Sequence, residues 1–280
     1  MIVHVKPYYV GVALLISNGY ENHPDPEKRL TDSASADCRE MDKLFTSFGY
    51  KVYPRRNLSK EKMIKCCECL ADPQCTYPDN CKRMVVYFSG HGVSGGNVVS
   101  DINYEIVGID KIISPVVSSR KTAGMTKMFF IDACRGSGKE STEAVRLRND
   151  YNEPGLNAKS QSATRIDLEL YENTLFAYAS PPSYLSWTVQ GKSHWTECLC
   201  IEFKNSREED SVFKVLTKAN NLLKEKVAKI GDGIKVLQTS EFTSSLTEAV
   251  YFRLDEKKYI TDKGKYGKSV KHFASFSKSS

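Results

Sequence analysis

Apolar and polar residues recur along the chain with two periods, which predict a succession of strands and helices. Continuous apolar runs predict buried strands, and apolar positions three and four residues apart predict helices. The predicted strands are Tyr9–Ser17, Lys51–Tyr53, Met84–Ser89, Met128–Ile131, Leu175–Ser180, Lys235–Phe242 and Ala249–Leu254. The predicted helices are Asp37–Phe48, 59–70, Ile109–Val117, Glu197–Lys204 and Ser211–Ile230. This alternation indicates an α/β fold, with a mostly parallel sheet covered by helices on both faces.

Two segments depart from the alternation. Residues 137–173 are mostly polar with charges of both signs, and they predict a long loop between residues 1–136 and residues 174–254 of one fold. A protease could cut this loop, and the alternative is an uncut surface loop. Residues 255–280 are rich in lysine, and we expect a disordered tail there.

The net charge of +6 lies mostly outside the predicted fold. Residues 256–280 hold seven lysines and two acidic residues, so they carry +5 and leave +1 for the rest of the chain. A nearly neutral fold gives no reason to expect a nucleic-acid partner. No stretch approaches the roughly 20 consecutive apolar residues of a membrane span, so we expect no membrane partner either.

The chain has nine cysteines, an odd number, and no export signal precedes them. This favours a reducing, cytoplasmic compartment over a disulfide framework. Cys66, Cys67, Cys69, Cys75 and Cys81 form a dense cluster, in which one Cys-x₂-Cys pair matches half of a typical zinc site. Packing in the core is the simpler interpretation of these cysteines, and we predict no metal ligands.

A candidate pair for nucleophilic catalysis follows two of the predicted strands. His91 comes directly after one apolar run and Cys134 after the next, so both side chains lie at carboxyl ends of strands, where α/β sheets bind ligands. A thiol nucleophile needs a base and N–H donors for the oxyanion that forms. Gly92 and Gly136 allow the main chain to approach a substrate closely.

These residues resemble the signature of the caspase-type clan of cysteine peptidases. Residues 88–92 read Phe-Ser-Gly-His-Gly, and residues 131–136 read Ile-Asp-Ala-Cys-Arg-Gly. Residues 184–187 (Tyr-Leu-Ser-Trp) are similar to the strand that lines the caspase substrate cleft, and residues 247–252 are similar to the last caspase strand. The resemblance covers about residues 9–254.

The resemblance implies a fold, an activity and a mode of assembly. The fold would be a six-stranded sheet between helices, with a large-subunit part at 1–136 and a small-subunit part at 174–254. His91 would be the general base and acid, Cys134 the nucleophile, and the amides of Gly92 and Cys134 the oxyanion hole. A homodimer joined through the edge Ala249–Leu254, protein substrates, and a role in regulated cell death or innate defence are implied as well. No cofactor is expected, and nothing indicates a calcium requirement.

The predicted specificity pocket departs from the caspase pattern. Caspases cleave after aspartate, which two arginines and a glutamine bind, whereas this chain has Asp132 at the glutamine position and Thr188 at one arginine position. Arg29 is the remaining candidate arginine. Asp132 resembles the acid of metacaspases and paracaspases, which cleave after arginine or lysine, and Asp37 matches the acid before their first helix.

We therefore favour a basic residue before the scissile bond, because a carboxylate in the pocket attracts a guanidinium and repels an acid. Leu185, Ser186 and Trp187 are expected to line the cleft on the same resemblance. A conventional Asp-specific caspase remains an alternative, since Arg29 could neutralise Asp132. Another alternative is a catalytically inactive regulator or scaffold that keeps the cleft.

Overall fold

The computed structural model describes residues 9–72, 81–92, 97–136, 171–182, 184–189, 191–230 and 234–253. Most of the predicted loop 137–173, the tail 255–280 and Cys75 lie outside these ranges. The strands are β1 Gly11–Ser17, β2 Tyr50–Arg56, β3 Arg83–Ser89, β4 Val98–Ser100, β5 Ile106–Gly108, β6 Thr126–Asp132, β7 Thr174–Tyr178, β8 Thr188–Val189, β9 Lys192–Ser193, β10 Val227–Ile230, β11 Ile234–Leu237 and β12 Glu241–Ser244. The helices are α1 Thr31–Ser47, α2 Lys60–Ala71, α3 Ile109–Val117, α4 His194–Asn205 and α5 Val212–Glu225, with short 3₁₀ turns at Pro26–Lys28 and Arg120–Thr122.

Six strands form the central sheet in the order β12-β7-β6-β3-β1-β2. The five strands from β7 to β2 are parallel, and β12 runs antiparallel to β7 at one edge. The predicted α/β fold with a mostly parallel six-stranded sheet is therefore confirmed. The parallel strands bring their carboxyl ends to one edge of the sheet, where α/β proteins place their ligand sites.

Two separate cores cover the faces of the sheet. Along β1, Ala13 and Leu15 pack in the core that α1, α4 and α5 cover, whereas Val12, Leu14 and Ile16 pack in the core that α2 and α3 cover. This alternation follows from the two-residue period of a strand. Because both faces are buried, the strand reads as one continuous apolar run.

Two predicted helix boundaries differ from the structure by five residues or more. Helix α1 begins at Thr31, six residues before the predicted start at Asp37, so Asp37 lies inside the helix. Helix α5 ends at Glu225, where Lys226 turns to an extended conformation. The residues that were expected to continue α5 form β10, which pairs with β11 in an antiparallel hairpin.

The predicted strand Ala249–Leu254 is wrong for the residues that the structure describes. Only Tyr251 forms an isolated bridge there, to Ser211. Val250 and Phe252 are buried in the helix-covered core, where the Phe252 ring lies 4.8 Å from that of Phe203. Packing in a core therefore explains the alternating apolar pattern without a sheet partner. The strand at the edge is β12, which shares only Glu241 and Phe242 with the predicted strand Lys235–Phe242; the first residues of that prediction lie in β11.

Candidate active site

The register of two central strands brings His91 and Cys134 to equivalent positions at the same end of the sheet. Ser89 at the end of β3 lies opposite Asp132 at the end of β6, and the Gly90 main-chain N–H donates to Asp132 O at 3.2 Å. His91 and Cys134 each follow two residues later. The pattern of two apolar strands, each followed by a reactive residue, therefore becomes one site because β3 and β6 are hydrogen-bonded neighbours.

Gly92 forms the closest contact between the two strand ends. A Cβ atom at this position would overlap the carbonyl oxygen of Cys134 and would lie 3.0 Å from the Cβ of Ala133. The main chain after His91 is thus packed directly against the main chain at Cys134. A side chain at residue 92 would push the two segments apart, so glycine is required by close approach here.

The imidazole of His91 is held by main-chain and aromatic contacts. Its Nε2 lies 2.6 Å from Lys28 O, and its ring lies 4.4 Å from the ring of Tyr20. The Tyr20 hydroxyl accepts from the His91 main-chain N–H at 3.0 Å. A carbonyl oxygen can only accept, so Nε2 carries the proton and Nδ1 is the basic nitrogen. Burial lowers the pKa of His91, which keeps the imidazole neutral.

The thiol of Cys134 lies under the segment that follows β7. Its Sγ is 3.4 Å from the main-chain nitrogen of Ser186 and 3.5 Å from the Ser186 carbonyl oxygen. Burial raises the pKa of the thiol, and the negative charge of Asp132 acts in the same direction, whereas the Ser186 N–H lowers it. The resting pair is therefore a thiol and a neutral imidazole.

Two buried acidic side chains, Asp132 and Asp37, lie close enough for the charge of one to act on the other. Asp132 is 5% exposed and accepts hydrogen bonds from the hydroxyls of Ser186 at 3.0 Å and Thr196 at 2.6 Å. Asp37 is 3% exposed and accepts from the Ser193 N–H at 3.2 Å. Burial and the neighbouring charge of Asp132 raise the pKa of Asp37 to about 8, so Asp37 holds a proton at neutral pH.

The segment that carries the remaining predicted cleft residues is held by Gln238, which the sequence analysis did not single out. Residues 184–187 form no strand, and the two-residue strand β8 begins only at Thr188. Gln238 is buried; it accepts from the Trp187 N–H at 3.0 Å and donates to Ala179 O at 2.8 Å and to the Ser186 hydroxyl at 3.3 Å. Leu185 lies half-buried in this segment. Gln238 thus ties the segment over Cys134 to the end of β7.

The side-chain contacts that the structure describes for Arg29 are with His23 and Tyr104. Its Nε donates to His23 O at 2.8 Å, and its charge acts on the hydroxyl of Tyr104. Among the residues that the structure describes, no arginine or lysine forms an ion pair with Asp132. The structure therefore brings together Asp132, Asp37 and Ser186, and it leaves Arg29 with the His91 side.

Arg135, directly after Cys134, connects the candidate site to the edge strand. Its guanidinium is buried, stacks 4.1 Å from the centre of the Tyr178 ring and forms an ion pair with Glu241 of β12 at 2.7 Å. It also donates to Ser180 O at 3.2 Å. The sequence placed Arg135 only within the Cys-Arg-Gly motif, because its partners are 45 and 106 residues away.

The described ranges contain neither a cluster of metal-ligating side chains nor a membrane-spanning helix. There, no three or more His, Cys, Asp or Glu side chains converge to hold a metal ion. Eight of the nine cysteines fall in these ranges, and all eight are free thiols. Of the helices in the described part of the chain, none is both long and apolar enough to cross a bilayer.

Comparisons with known proteins identify the family. A model of the caspase domain family matches residues 10–251. Caspase-7 of Gallus gallus is 25% identical over 248 residues, which cover 87% of this chain and 77% of that protein. Caspase-1 of Drosophila melanogaster is 24% identical over 211 residues, which cover 75% of this chain and 62% of that protein. The crystal structure of Caspase-1 from Spodoptera frugiperda has the same fold, with a TM-score of 0.68 at 20% identity, covering 91% of this chain and 96% of the other.

The α/β fold and the matched family together define a cysteine endopeptidase, an enzyme of the hydrolase class. The chain belongs to the caspase domain family, so the resemblance to caspases noted in the sequence is confirmed.

Proposed function

We propose that the chain cleaves protein substrates with a dyad of His91 and Cys134, and that it prefers arginine or lysine before the scissile bond. The observation that carries the dyad is the register of β3 and β6, which places both residues two positions beyond paired strand ends. The contact of Gly92 with Cys134 O supports the same assignment, because it brings the two main chains within reach of one substrate carbonyl.

The proposed reaction begins from the neutral pair. His91 Nδ1 takes the proton of the Cys134 thiol as the sulfur attacks the carbonyl carbon, while the bond to Lys28 O keeps the second ring proton on Nε2. The main-chain N–H groups of Gly92 and Cys134 stabilise the oxyanion. The imidazolium then donates its proton to the leaving nitrogen. Water, deprotonated by the same imidazole, hydrolyses the thioester and releases the second product.

The basic preference is supported by the buried carboxylate at residue 132. Asp132 accepts from hydroxyl groups, and no basic residue pairs with it among the described side chains. Burial raises the pKa of Asp132, whereas hydrogen bonds from the surrounding hydroxyl groups lower it. A guanidinium or ammonium of the substrate beside this carboxyl would stabilise its ionised form and would itself be stabilised. A substrate carboxylate would meet a like charge. Asp37 is protonated and therefore neutral at pH 7, so it adds hydrogen-bonding capacity without a second charge.

Purified protein assayed with peptides that differ only in Arg or Asp before the scissile bond tests this proposal. We expect the Arg peptide to be cleaved at least about tenfold faster, since one uncompensated like charge costs more than about 1.4 kcal/mol in a desolvated pocket. The Asp132→Asn variant should lose most of this preference while its thiol still reacts with a peptidyl halomethyl ketone. Faster cleavage of the Asp peptide would contradict the basic preference and leave the dyad standing.

Cys134→Ala separates the enzyme from a non-catalytic regulator. This variant should lose all turnover and all labelling by the halomethyl ketone, while Cys200→Ala, which removes a buried thiol 3.7 Å from the Met41 sulfur, should keep both. A cellular effect that survives Cys134→Ala would instead indicate a scaffold.

Assembly and cellular role remain proposals from the family. We place the homodimer contact at the edge of β12, Glu241–Ser244, because this strand ends the central sheet on that side. Arg135 would couple such a contact to the nucleophile through Glu241. A role in cell death or innate defence and a cytoplasmic location stay predictions.

A further inference from the structure

A ladder of aromatic rings extends from His91 to the protein surface. The Tyr20 ring lies 4.4 Å from the His91 ring, the Tyr104 ring stacks 5.4 Å from that of Tyr20, and the His23 ring meets Tyr104 edge-on at 4.5 Å. Tyr20 is completely buried, whereas Tyr104 is 40% exposed. We call the two outer rings, His23 and Tyr104, the aromatic platform.

Hydrogen bonds fix the platform relative to the imidazole. The Ser100 N–H donates to His91 O at 2.9 Å, and the Tyr20 hydroxyl donates to Ser100 O at 2.8 Å. Tyr104 lies in the turn that follows, and the Asp101 carboxylate holds this turn by accepting from the N–H groups of Asn103 at 2.7 Å and Glu105 at 2.8 Å. The exposed ring therefore has a defined position beside the candidate site.

Both tyrosines of the ladder have left-handed backbone conformations. Tyr20 has φ 55° and Tyr104 has φ 66°, a region that side chains with a Cβ rarely adopt. Such conformations cluster at binding and catalytic sites, because the surrounding structure must hold them there. For Tyr104 this strain does not serve to bury the ring, since much of it faces solvent. A binding function for the exposed face of the Tyr104 ring explains both its strained backbone and its exposure to solvent.

The direction of the proposed reaction decides which part of a substrate lies here. The residue before the scissile bond lies with Cys134, Ser186 and Asp132, as argued above. His91 must reach the leaving nitrogen to protonate it, so the residue after the scissile bond passes on the imidazole side. The platform is the surface that continues outward from His91 on that side.

We propose that the aromatic platform of His23 and Tyr104 is a subsite for the residue after the scissile bond, and that it selects an aromatic or large apolar side chain there; this inference rests on the proposed function. A ring against the exposed Tyr104 face, with the edge of His23 beside it, gains stacking that glycine cannot provide. Arg29, which is bonded to His23 O, lies at the rim, where its cation disfavours a basic side chain.

Two internally quenched peptides test the subsite, identical except for Phe or Gly directly after the scissile bond. We expect kcat/KM to be about fivefold to tenfold higher for Phe, the size of one aromatic stacking contact. In Tyr104→Ala the ratio should fall to about one, and in Tyr104→Phe it should stay high because the ring remains. Tyr251→Ala, which removes a tyrosine of similar exposure elsewhere, should keep the wild-type ratio.

Labelling of Cys134 by a peptidyl halomethyl ketone separates this inference from the proposed function. The reagent occupies only the acyl side, so Tyr104→Ala should react at the wild-type rate. A normal labelling rate with an unchanged Phe-to-Gly ratio would overturn the subsite alone. A labelling rate that falls together with turnover would show that Tyr104 acts through the dyad and would also overturn the subsite. Wild-type protein that neither labels nor cleaves would overturn both proposals.

Discussion

The two sides of the candidate site are held by different interactions. On the Cys134 side, the segment over the thiol is fixed by polar side chains, with Ser186 bonded to Asp132 and Gln238. On the His91 side, the imidazole is fixed by a carbonyl oxygen and by the buried ring of Tyr20. One side is therefore a polar network around a buried charge, and the other is main chain and stacked rings.

This difference separates the recognition of substrate charge from the positioning of the imidazole. A buried polar network responds to any change of charge, because its strength depends on a low local dielectric. Asp132 and Asp37 can thus discriminate between substrate charges, and they make that side sensitive to pH. The Lys28 carbonyl oxygen and the Tyr20 ring, which contact the imidazole, carry no charge near neutral pH and hold it in one arrangement there. The proposed base, His91, therefore lies on the side where the contacting groups are uncharged.

Substitution at the junction of the two sides should have the largest effect. In Gly92→Ala the new Cβ would overlap Cys134 O, so the two strand ends must separate. Displacement of reacting groups by about 1 Å can cost on the order of 100-fold in rate, and we expect at least this loss in kcat/KM. Steady-state cleavage assays and urea denaturation of the same variant measure the rate and the fold separately.

Gly124→Ala is the matched control for this substitution. Gly124 has φ 74° and no atom within 4 Å of a Cβ, so alanine there strains the backbone without a collision. It should lower the free energy of unfolding by about 1 kcal/mol and leave kcat/KM unchanged. Wild-type activity in Gly92→Ala would mean that His91 and Cys134 do not depend on this contact.

The polar side should make stability fall as pH rises. The pKa of Asp37 is about 8 in the folded protein, above its value in an unfolded chain, so the folded state binds more protons between those two values. The free energy of unfolding should therefore decrease between about pH 5 and 7, by at most about 1.4 kcal/mol per pH unit. The charges of Asp132, Lys192 and Glu197 act on this carboxyl and set the size of the slope.

Urea denaturation of Asp37→Asn across that range measures the effect. The amide cannot ionise, so we expect a flatter profile, with the variant gaining on the wild type as pH rises. Glu40→Gln on the same helix is a control of opposite sign, because lysine partners lower the pKa of Glu40 to about 2. Its removal should lower the free energy of unfolding by a constant amount between about pH 5 and 7 and change the slope only at more acidic pH. Parallel profiles for Asp37→Asn and the wild type would show that Asp37 is ionised throughout.

Local patterns in the sequence were sufficient to predict the parallel strands and to single out His91 and Cys134 as a candidate pair. The apolar runs that predict strands are those buried on both faces, and His91 and Cys134 are recognisable because each directly follows one. The wrong strand Ala249–Leu254 shows the limit of this reasoning. Val250 and Phe252 are apolar for burial in a core, and periodicity alone does not reveal whether a sheet edge is free to pair with them.

The contacts that shape the site could not be derived in this way. Gln238 lies 52 residues from Ser186, and Tyr20 lies 71 residues from His91, so their bonds depend on the arrangement of several elements. An isolated glutamine or tyrosine in the sequence carries no sign of such a partner. The assignment of Arg29 to the specificity pocket failed to gain support for the same reason, since its contacts depend on how the loop before α1 folds.

Removal of the Tyr20 hydroxyl should have the smallest effect and tests the aromatic side alone. Tyr20→Phe keeps the ring beside His91 but loses the bonds from the His91 N–H and to Ser100 O. Neutral hydrogen bonds contribute about 1 kcal/mol each, so kcat should fall about threefold to tenfold through a less well positioned imidazole, with KM unchanged. Tyr178→Phe is the control, because the Tyr178 hydroxyl has no hydrogen-bond partner among the described residues. A rise in KM at constant kcat would place Tyr20 in substrate binding instead, and would remove the distinction between a side that recognises substrate charge and a side that positions the imidazole.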